Sequence, residues 1–145
     1  MELRKKSLIT LACLAMACIV LFAMPSTKDK AIAYVLEHQE ALEAFVLSIP
    51  EKEQTDQVLS YDSLQVYSWA SCGLVEFEMS SWGIVPASAY EGFYYSPEDK
   101  PMGFQGIGVQ FTPEGAGWAW REASGDNRQY TERITAHWYW YKAIF

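Results

Sequence analysis

Val75-Glu76-Phe77-Glu78-Met79 is the clearest strand pattern in the chain, because apolar and acidic residues alternate along it without a break. Side chains on a strand point alternately to opposite faces of a sheet, so this stretch predicts one apolar and one polar face. The same period of two recurs at residues 107–111, 118–121 and 133–141 and, more weakly, at 64–69 and 92–95. We therefore expect five to six strands.

The connections between these runs are short and rich in turn residues. Ser71-Cys72-Gly73 separates the first two strands, and Ser124-Gly125-Asp126-Asn127 is predicted to join the last two. Residues 96–101 and 112–115 are predicted as further turns. Connections of this length favour antiparallel neighbours.

Residues 28–49 are predicted to form one amphipathic helix. Ser26 or Thr27 is placed to cap its N-terminus, and Pro50 ends it. His38 falls on the apolar side of this helix, where a partly buried histidine is the usual case. The apolar positions recur at helical spacing, and they are Ile32, Val35, Leu42, Phe45, Val46 and Ile49.

One helix followed by strands with short connections indicates an α+β fold. The apolar stripe of the helix needs a sheet face to cover it, and we expect that face to come from Val75, Phe77, Met79, Ile107, Val109 and Trp138. The predicted architecture is one amphipathic helix packed on a curved antiparallel sheet of five to six strands, as in a cystatin-like roll. A small closed barrel with the helix at one end is the alternative.

The first 24 residues differ in composition from the rest. Arg4, Lys5 and Lys6 precede an uncharged apolar stretch at residues 7–24. A helix of this length, at about 1.5 Å per residue, just crosses a bilayer core. Residues 1–24 are therefore predicted to be a transmembrane signal anchor or a cleaved signal peptide, with the basic flank inside. We expect a single-pass protein of the cell membrane with 25–145 outside as one domain, or a secreted protein after cleavage.

Charge and cysteine content narrow the possible partners. Residues 25–145 carry 8 Lys and Arg against 17 Asp and Glu. Such acidity disfavours binding to nucleic acid, and we expect it to push the domain away from an anionic membrane surface rather than let it lie on that surface. Proteins, peptides and glycans stay open as ligands. Cys72 is the one cysteine beyond residue 24, and it is either a small buried residue or a reactive thiol.

Aromatic residues supply the candidate binding surface. Alternation along 137–141 sends the two tryptophans to one face of the sheet and His137, Tyr139 and Tyr141 to the other. With Tyr94 from a second aromatic patch, these three residues are our candidate site for a glycan, a peptide or a quaternary amine. The alternative is that they only pack within the sheet.

The sequence predicts no catalytic residue, no metal site and no cofactor. His38 and His137 are the only histidines, and neither lies in a cluster of Cys or carboxylates. Glu76 and Glu78 are interpreted as solvated strand residues, whereas general acid–base chemistry needs carboxylates in a cleft.

Five motifs in the C-terminal part of the sequence resemble those of known proteins. They are GFYYSPEDKP at 92–101, WAWRE at 118–122, GDN at 125–127, YTERI at 130–134 and WYWY at 138–141. These motifs resemble those of a group of small, uncharacterised, membrane-anchored or secreted bacterial proteins. The likeness covers about residues 60–145. It implies an exported single domain and implies no activity.

Three functions follow as hypotheses from these observations. The first is a non-enzymatic, extracytoplasmic binding or interaction domain anchored to the bacterial membrane through residues 7–24. The second is an immunity or inhibitor partner of a membrane protein or a toxin, for which small size and acidity are suited. The third is a hydrolase of cell-envelope material, which requires a concave pocket with converging polar groups.

Overall fold

A computed structural model describes residues 24–50, 55–84 and 87–145, so all but the last residue of the predicted membrane segment lies outside the described part. Within that part, one α-helix packs on one face of an eight-stranded antiparallel sheet. The elements are α1 (Thr27–Ser48), β1 (Gln57–Tyr61), β2 (Leu64–Trp69), β3 (Leu74–Ile84), β4 (Ala87–Tyr95), β5 (Thr112–Glu114), β6 (Gly117–Arg121), β7 (Arg128–Thr135) and β8 (Trp138–Ile144).

The predicted helix is confirmed within one residue at each end. Ser26 is its N-cap, and its hydroxyl accepts a hydrogen bond from the backbone N–H of Asp29 at 3.1 Å. The Asp29 carboxylate in turn accepts from the backbone N–H of Ser26, which completes a capping box. Hydrogen bonds from the hydroxyl and from the backbone N–H of Ser26 lower the pKa of Asp29. None of the helices in the described part of the chain has the length and hydropathy of a transmembrane segment.

The strand order is β1-β2-β3-β4-β8-β7-β6-β5. In the described part of the chain, β1 and β5 each pair on one side only, so the sheet is open and the closed-barrel alternative is wrong. The number of strands also exceeds the predicted five to six. β1 forms at residues to which no strand was assigned, and β5 lies within residues predicted as a turn.

Two predicted strands are corrected by the structure. Residues 107–111 form no strand and lie in the connection between β4 and β5. The continuous run at 133–141 divides into β7 and β8 at a tight turn, where His137 has a φ of +64°. The turn at 124–127 therefore joins β6 to β7 rather than the last two strands. A non-glycine residue with positive φ gives little warning in sequence, which explains this error.

The helix-side core lies between α1 and the middle of the sheet. Phe77, Phe93 and Trp138 are fully buried there and pack around Val35 and Leu42. Trp138 and Trp140 both face the helix, as the alternation predicted. The prediction for Ile107 is wrong, because this side chain is 54 % exposed.

The opposite face of the sheet is covered by residues 96–111, which we name the cover segment. Phe104, in a short 3₁₀ helix, places its ring 4.9 Å from that of Tyr90 and 5.6 Å from that of Tyr141. This contact builds a second core on the face away from the helix. Its buried members are Leu74, Tyr94, Phe104, Tyr139, Tyr141 and Ala143.

Candidate functional site

The four residues of the predicted aromatic site do not form an open surface. Tyr94, Tyr139 and Tyr141 lie together on one face, as predicted, but each is only 1 % exposed. The ring centres of Tyr94 and Tyr139 are 5.3 Å apart in a stacked arrangement. His137 is half-buried in the β7–β8 turn. A ligand could reach the tyrosines only by displacing the cover segment, so we place no binding site on them.

Polar contacts hold the cover segment on these tyrosines. The Tyr94 hydroxyl lies 3.0 Å from the hydroxyl of Thr131 and accepts from the backbone N–H of Met102, also at 3.0 Å. The Gln129 side chain accepts from Phe104 N–H at 2.8 Å and donates to the Met102 carbonyl at 3.1 Å. Burial raises the pKa of Tyr94 well above its usual value. These partners assign Tyr94 a structural role.

Asp99 fixes the start of the cover segment to the β7–β8 turn. Its carboxylate accepts from the backbone N–H of His137 at 2.8 Å, from Arg133 at 2.6 Å and from the Tyr139 hydroxyl at 3.1 Å. The hydrogen bonds from Arg133 and His137 hold the pKa of Asp99 well below its usual range. The His137 ring lies 2.9 Å, through Nδ1, from the carbonyl of Ser96. The backbone and the side chain of His137 therefore both hold the β7–β8 turn against the start of the cover segment.

Glu76 is not the solvated residue that the sequence indicated. Its side chain is 1 % exposed beneath the cover segment. One carboxylate oxygen accepts from the indole N–H of Trp69 at 2.6 Å, and the other accepts from the backbone N–H of Gln105 at 3.0 Å. Burial raises the pKa of Glu76 to about 7, although both hydrogen bonds act in the other direction. Both oxygens are thus used to hold the cover segment.

The structure places an open cleft elsewhere, between the C-terminal end of α1 and the adjacent ends of β1 to β4. Its volume is about 1260 Å³. Pro50 and Thr55, which border residues outside the described part, line one side of it. The lining residues are Val46, Leu47, Ser48, Ile49, Pro50, Thr55, Asp56, Gln57, Ser68, Ala70, Ser71, Gly73, Val75, Tyr95 and Pro97.

The cleft is apolar with a few polar groups and one charge. Val46, Ile49, Val75 and Tyr95 supply apolar and aromatic surface, and serine and threonine hydroxyls lie around them. Asp56 is the one residue with a formal charge among the described residues that line it. One of its oxygens accepts from the backbone N–H of Ala70 at 3.0 Å, which fixes the carboxylate at the edge of the cleft. Such a combination is typical of a binding site for a small molecule or a peptide side chain.

Sequence reasoning missed this cleft because its residues come from five separate elements. Each is an ordinary helix end, strand end or turn when seen alone. Val46 and Ile49 were correctly predicted to lie on the apolar face of the helix. Nothing in their spacing indicates that the sheet leaves the last turn of α1 partly uncovered.

In the described part of the chain, no cluster of three or more His, Cys, Asp or Glu residues could hold a metal ion. Cys72 carries a free, half-buried thiol whose sulfur lies 3.8 Å from the Trp69 carbonyl.

No known protein family, curated protein or solved structure matches the chain. The geometry of the cleft therefore carries the functional argument.

Proposed function

We propose that this protein is a non-enzymatic binding domain, held on the outer side of a bacterial membrane by residues 7–24, and that the cleft beside the end of α1 is its ligand site. The observation that carries the proposal is the cleft itself, which is large, open and mostly apolar. A roll-like curvature of the sheet around α1, as in cystatins, is part of the same proposal.

The chemistry of the cleft selects a class of ligand. An apolar side chain fits the surface of Val46, Ile49 and Val75, because burying it there removes apolar area from water. Among the described residues that line the cleft, Asp56 supplies a fixed negative charge at the rim and none supplies a positive one. The ligand is therefore a peptide or protein segment with an apolar residue next to a Lys, an Arg or a free amino terminus.

The hypothesis of an immunity or inhibitor protein is a special case of this proposal. A cationic toxin or bacteriocin has the required charge and is attracted by the acidity of residues 25–145. The hydrolase hypothesis would be favoured by a pair of carboxylates in a cleft. Among the described residues that line this cleft, Asp56 is the single acidic one, so we do not extend the proposal to catalysis.

The cleft can be tested by filling it. Ser68 lies on the helix side of β2, opposite Val75, and lines the cleft. In Ser68→Phe the new ring occupies the cleft, whereas Ser60→Phe places the same ring on the exposed, opposite side of β1 and serves as the control. A displayed random-peptide library is selected against the full chain in nanodiscs, and the affinity of each selected peptide is measured for all three proteins.

We expect the selected peptides to combine apolar and basic residues and to bind Ser68→Phe at least tenfold more weakly than the wild type and Ser60→Phe. Asp56→Asn should weaken binding several-fold at low salt and less at high salt, because it removes the rim charge. Equal affinity for wild type and Ser68→Phe, or selection of acidic peptides, would contradict the proposal.

A further inference from the structure

A strip of the helix-side sheet face lies beyond the reach of α1. Its first row follows the strand register from Trp82 on β3 through Ala89, Ile144 and Arg128 to Arg121 on β6. The second row adds Ile84, opposite Ala87. Among the described residues that form the helix-side core, none comes from this basal strip.

The basal strip exposes large apolar side chains. Trp82 is 68 % exposed and Ile84 is 87 % exposed, although both point to the same side of the sheet as the buried Trp140. Exposed single apolar residues are ordinary, but a tryptophan and an isoleucine side by side at the end of a projecting hairpin suit a contact with an apolar partner.

Cations accompany these apolar residues. Arg121 and Arg128 are directly opposite each other and exposed, and Lys142 lies in the next row. Glu114 pairs with Arg121 at 2.7 Å, and Glu91 lies 3.6 Å from Lys142, so three cations face two carboxylates. On this face the cations exceed the carboxylates by one within a domain whose overall charge is strongly negative, and the adjoining β6–β7 turn carries two further carboxylates.

The position of α1 relates the basal strip to the predicted anchor. Ile49, just after the C-terminal end of the helix, lies at the cleft with Val75 and Tyr95, whereas Lys28 in the first turn contacts Glu132 at 2.6 Å and lies over the Trp140 ring. Followed towards its N-terminus, the chain thus moves along the sheet towards the basal strip. Glu132 and Arg128 are four residues apart on β7, a distance of about 13 Å.

We propose that the basal strip rests on the surface of the bilayer that holds the predicted anchor, with Trp82 and Ile84 at the level of the lipid headgroups and the arginines against anionic headgroup phosphates. This inference goes beyond the proposed function and rests on its membrane anchor. Only Pro25 and Ser26 separate the end of the predicted anchor from α1, which keeps the domain within about 10 Å of the lipid. Tryptophan with flanking Arg and Lys is the usual composition at a membrane interface.

The overall acidity of the domain determines which face is used. An anionic bilayer repels the acidic surfaces, so the face where cations outnumber carboxylates is the one that can approach it. The same orientation leaves the cleft free, because Tyr95 at the cleft and Ala89 in the basal strip are six residues apart on β4, about 20 Å.

The test uses the full chain in nanodiscs that hold one copy, made of phosphatidylcholine and phosphatidylglycerol with or without brominated acyl chains. Bromine quenches tryptophan fluorescence at short range. Trp82→Phe is compared with Trp120→Phe, which changes a tryptophan on the opposite face of β6. Ile84→Asp is a second variant that places a charge in the basal strip and leaves both cores untouched.

We expect brominated lipid to quench the wild type and Trp120→Phe, and Trp82→Phe to lose at least half of that quenching. Ile84→Asp should reduce it, and so should the omission of phosphatidylglycerol. Equal quenching in wild type and Trp82→Phe, or no effect of anionic lipid, would overturn the inference. A chain that fails to enter the discs at all would instead refute the anchor in the proposed function.

Discussion

Glu76 is the described residue whose surroundings differ most from what its neighbours in the sequence suggest. It alternates with apolar residues on β3, and its side chain therefore lies on the sheet face away from α1. Even so, that side chain is buried by protein. Trp69 and Gln105 satisfy one oxygen each, and the Glu78 charge and burial both oppose ionisation. The ionised carboxylate is therefore held at a cost in stability, as expected for a buried acid with two donors.

This cost should appear in the pH dependence of stability. The pKa of Glu76 is about 7 in the folded protein and 4.5 in the unfolded chain. Protonation of this carboxyl group therefore favours the folded state, fully so below about pH 4.5, and the contribution is lost as the pH rises through 7. The loss amounts to about 3 kcal/mol. Urea unfolding at pH 5 and pH 8 should show a fall for the wild type that Glu76→Gln largely removes.

Glu78→Gln is the matched control for this measurement. It changes the next carboxylate on the same side of β3, which is half-buried and accepts from Ser81 at 2.6 Å. We expect this variant to keep most of the wild-type fall between pH 5 and pH 8, because burial is the largest cause of the raised pKa of Glu76 and the Glu78 charge is a smaller one. If Glu76→Gln shows the same fall as the wild type, Glu76 is not the group responsible.

The cover segment is the element that closes the second face of the sheet. It has little regular structure, and its attachment depends on Phe104, on backbone hydrogen bonds to Glu76 and Gln129, and on the Asp99 carboxylate. Gln105 has a φ of +57°, which lets its N–H reach Glu76 next to the buried Phe104 ring. The segment is thus specified by a few side chains and not by a repeating pattern.

Truncating Phe104 should therefore weaken the whole segment. The side chain is 7 % exposed and packs on Tyr90, Tyr141 and Phe145. Phe104→Ala is expected to lower the free energy of unfolding by about 3 kcal/mol and to raise amide hydrogen exchange along 96–111. Ile107→Ala in the same segment removes an exposed side chain and should change stability by less than about 0.5 kcal/mol. Similar losses in the two variants would contradict this description.

At the scale of the whole molecule, the two sites that we propose lie on one side of the sheet. The cleft lies where α1 ends, and the basal strip lies beyond the point where α1 begins. Both are parts of the helix-side face that a helix of 22 residues leaves uncovered. In the orientation that we propose, the basal strip contacts the bilayer and the cleft, at the other end, faces away from it.

The two ends should behave independently. Sites separated by more than about 10 Å with no shared partner contribute additively. Ser68→Phe should weaken peptide binding at least tenfold and leave the quenching by brominated lipid unchanged. Trp82→Phe should lose at least half of that quenching and keep the wild-type affinity for peptide. Both measurements are made on the same nanodisc preparations. Loss of both properties in either variant would show that the two ends are coupled.

The sequence by itself determined the α+β class, the helix with its Ser26 cap, most of the strands and the face to which Trp138 and Trp140 point. These features depend on local periodicity, on capping and on turn residues, which act over a few positions. The membrane segment at 1–24 and the function remain predictions.

Tertiary structure alone decided the rest. It placed residues 96–111 over Tyr94, Tyr139 and Tyr141, buried Glu76, divided 133–141 at His137, and left the cleft and the basal strip open. Alternation assigns a side chain to a face of the sheet, but it does not say what covers that face. That depends on contacts between residues far apart in the chain, such as Gln105 with Glu76 and His137 with Asp99.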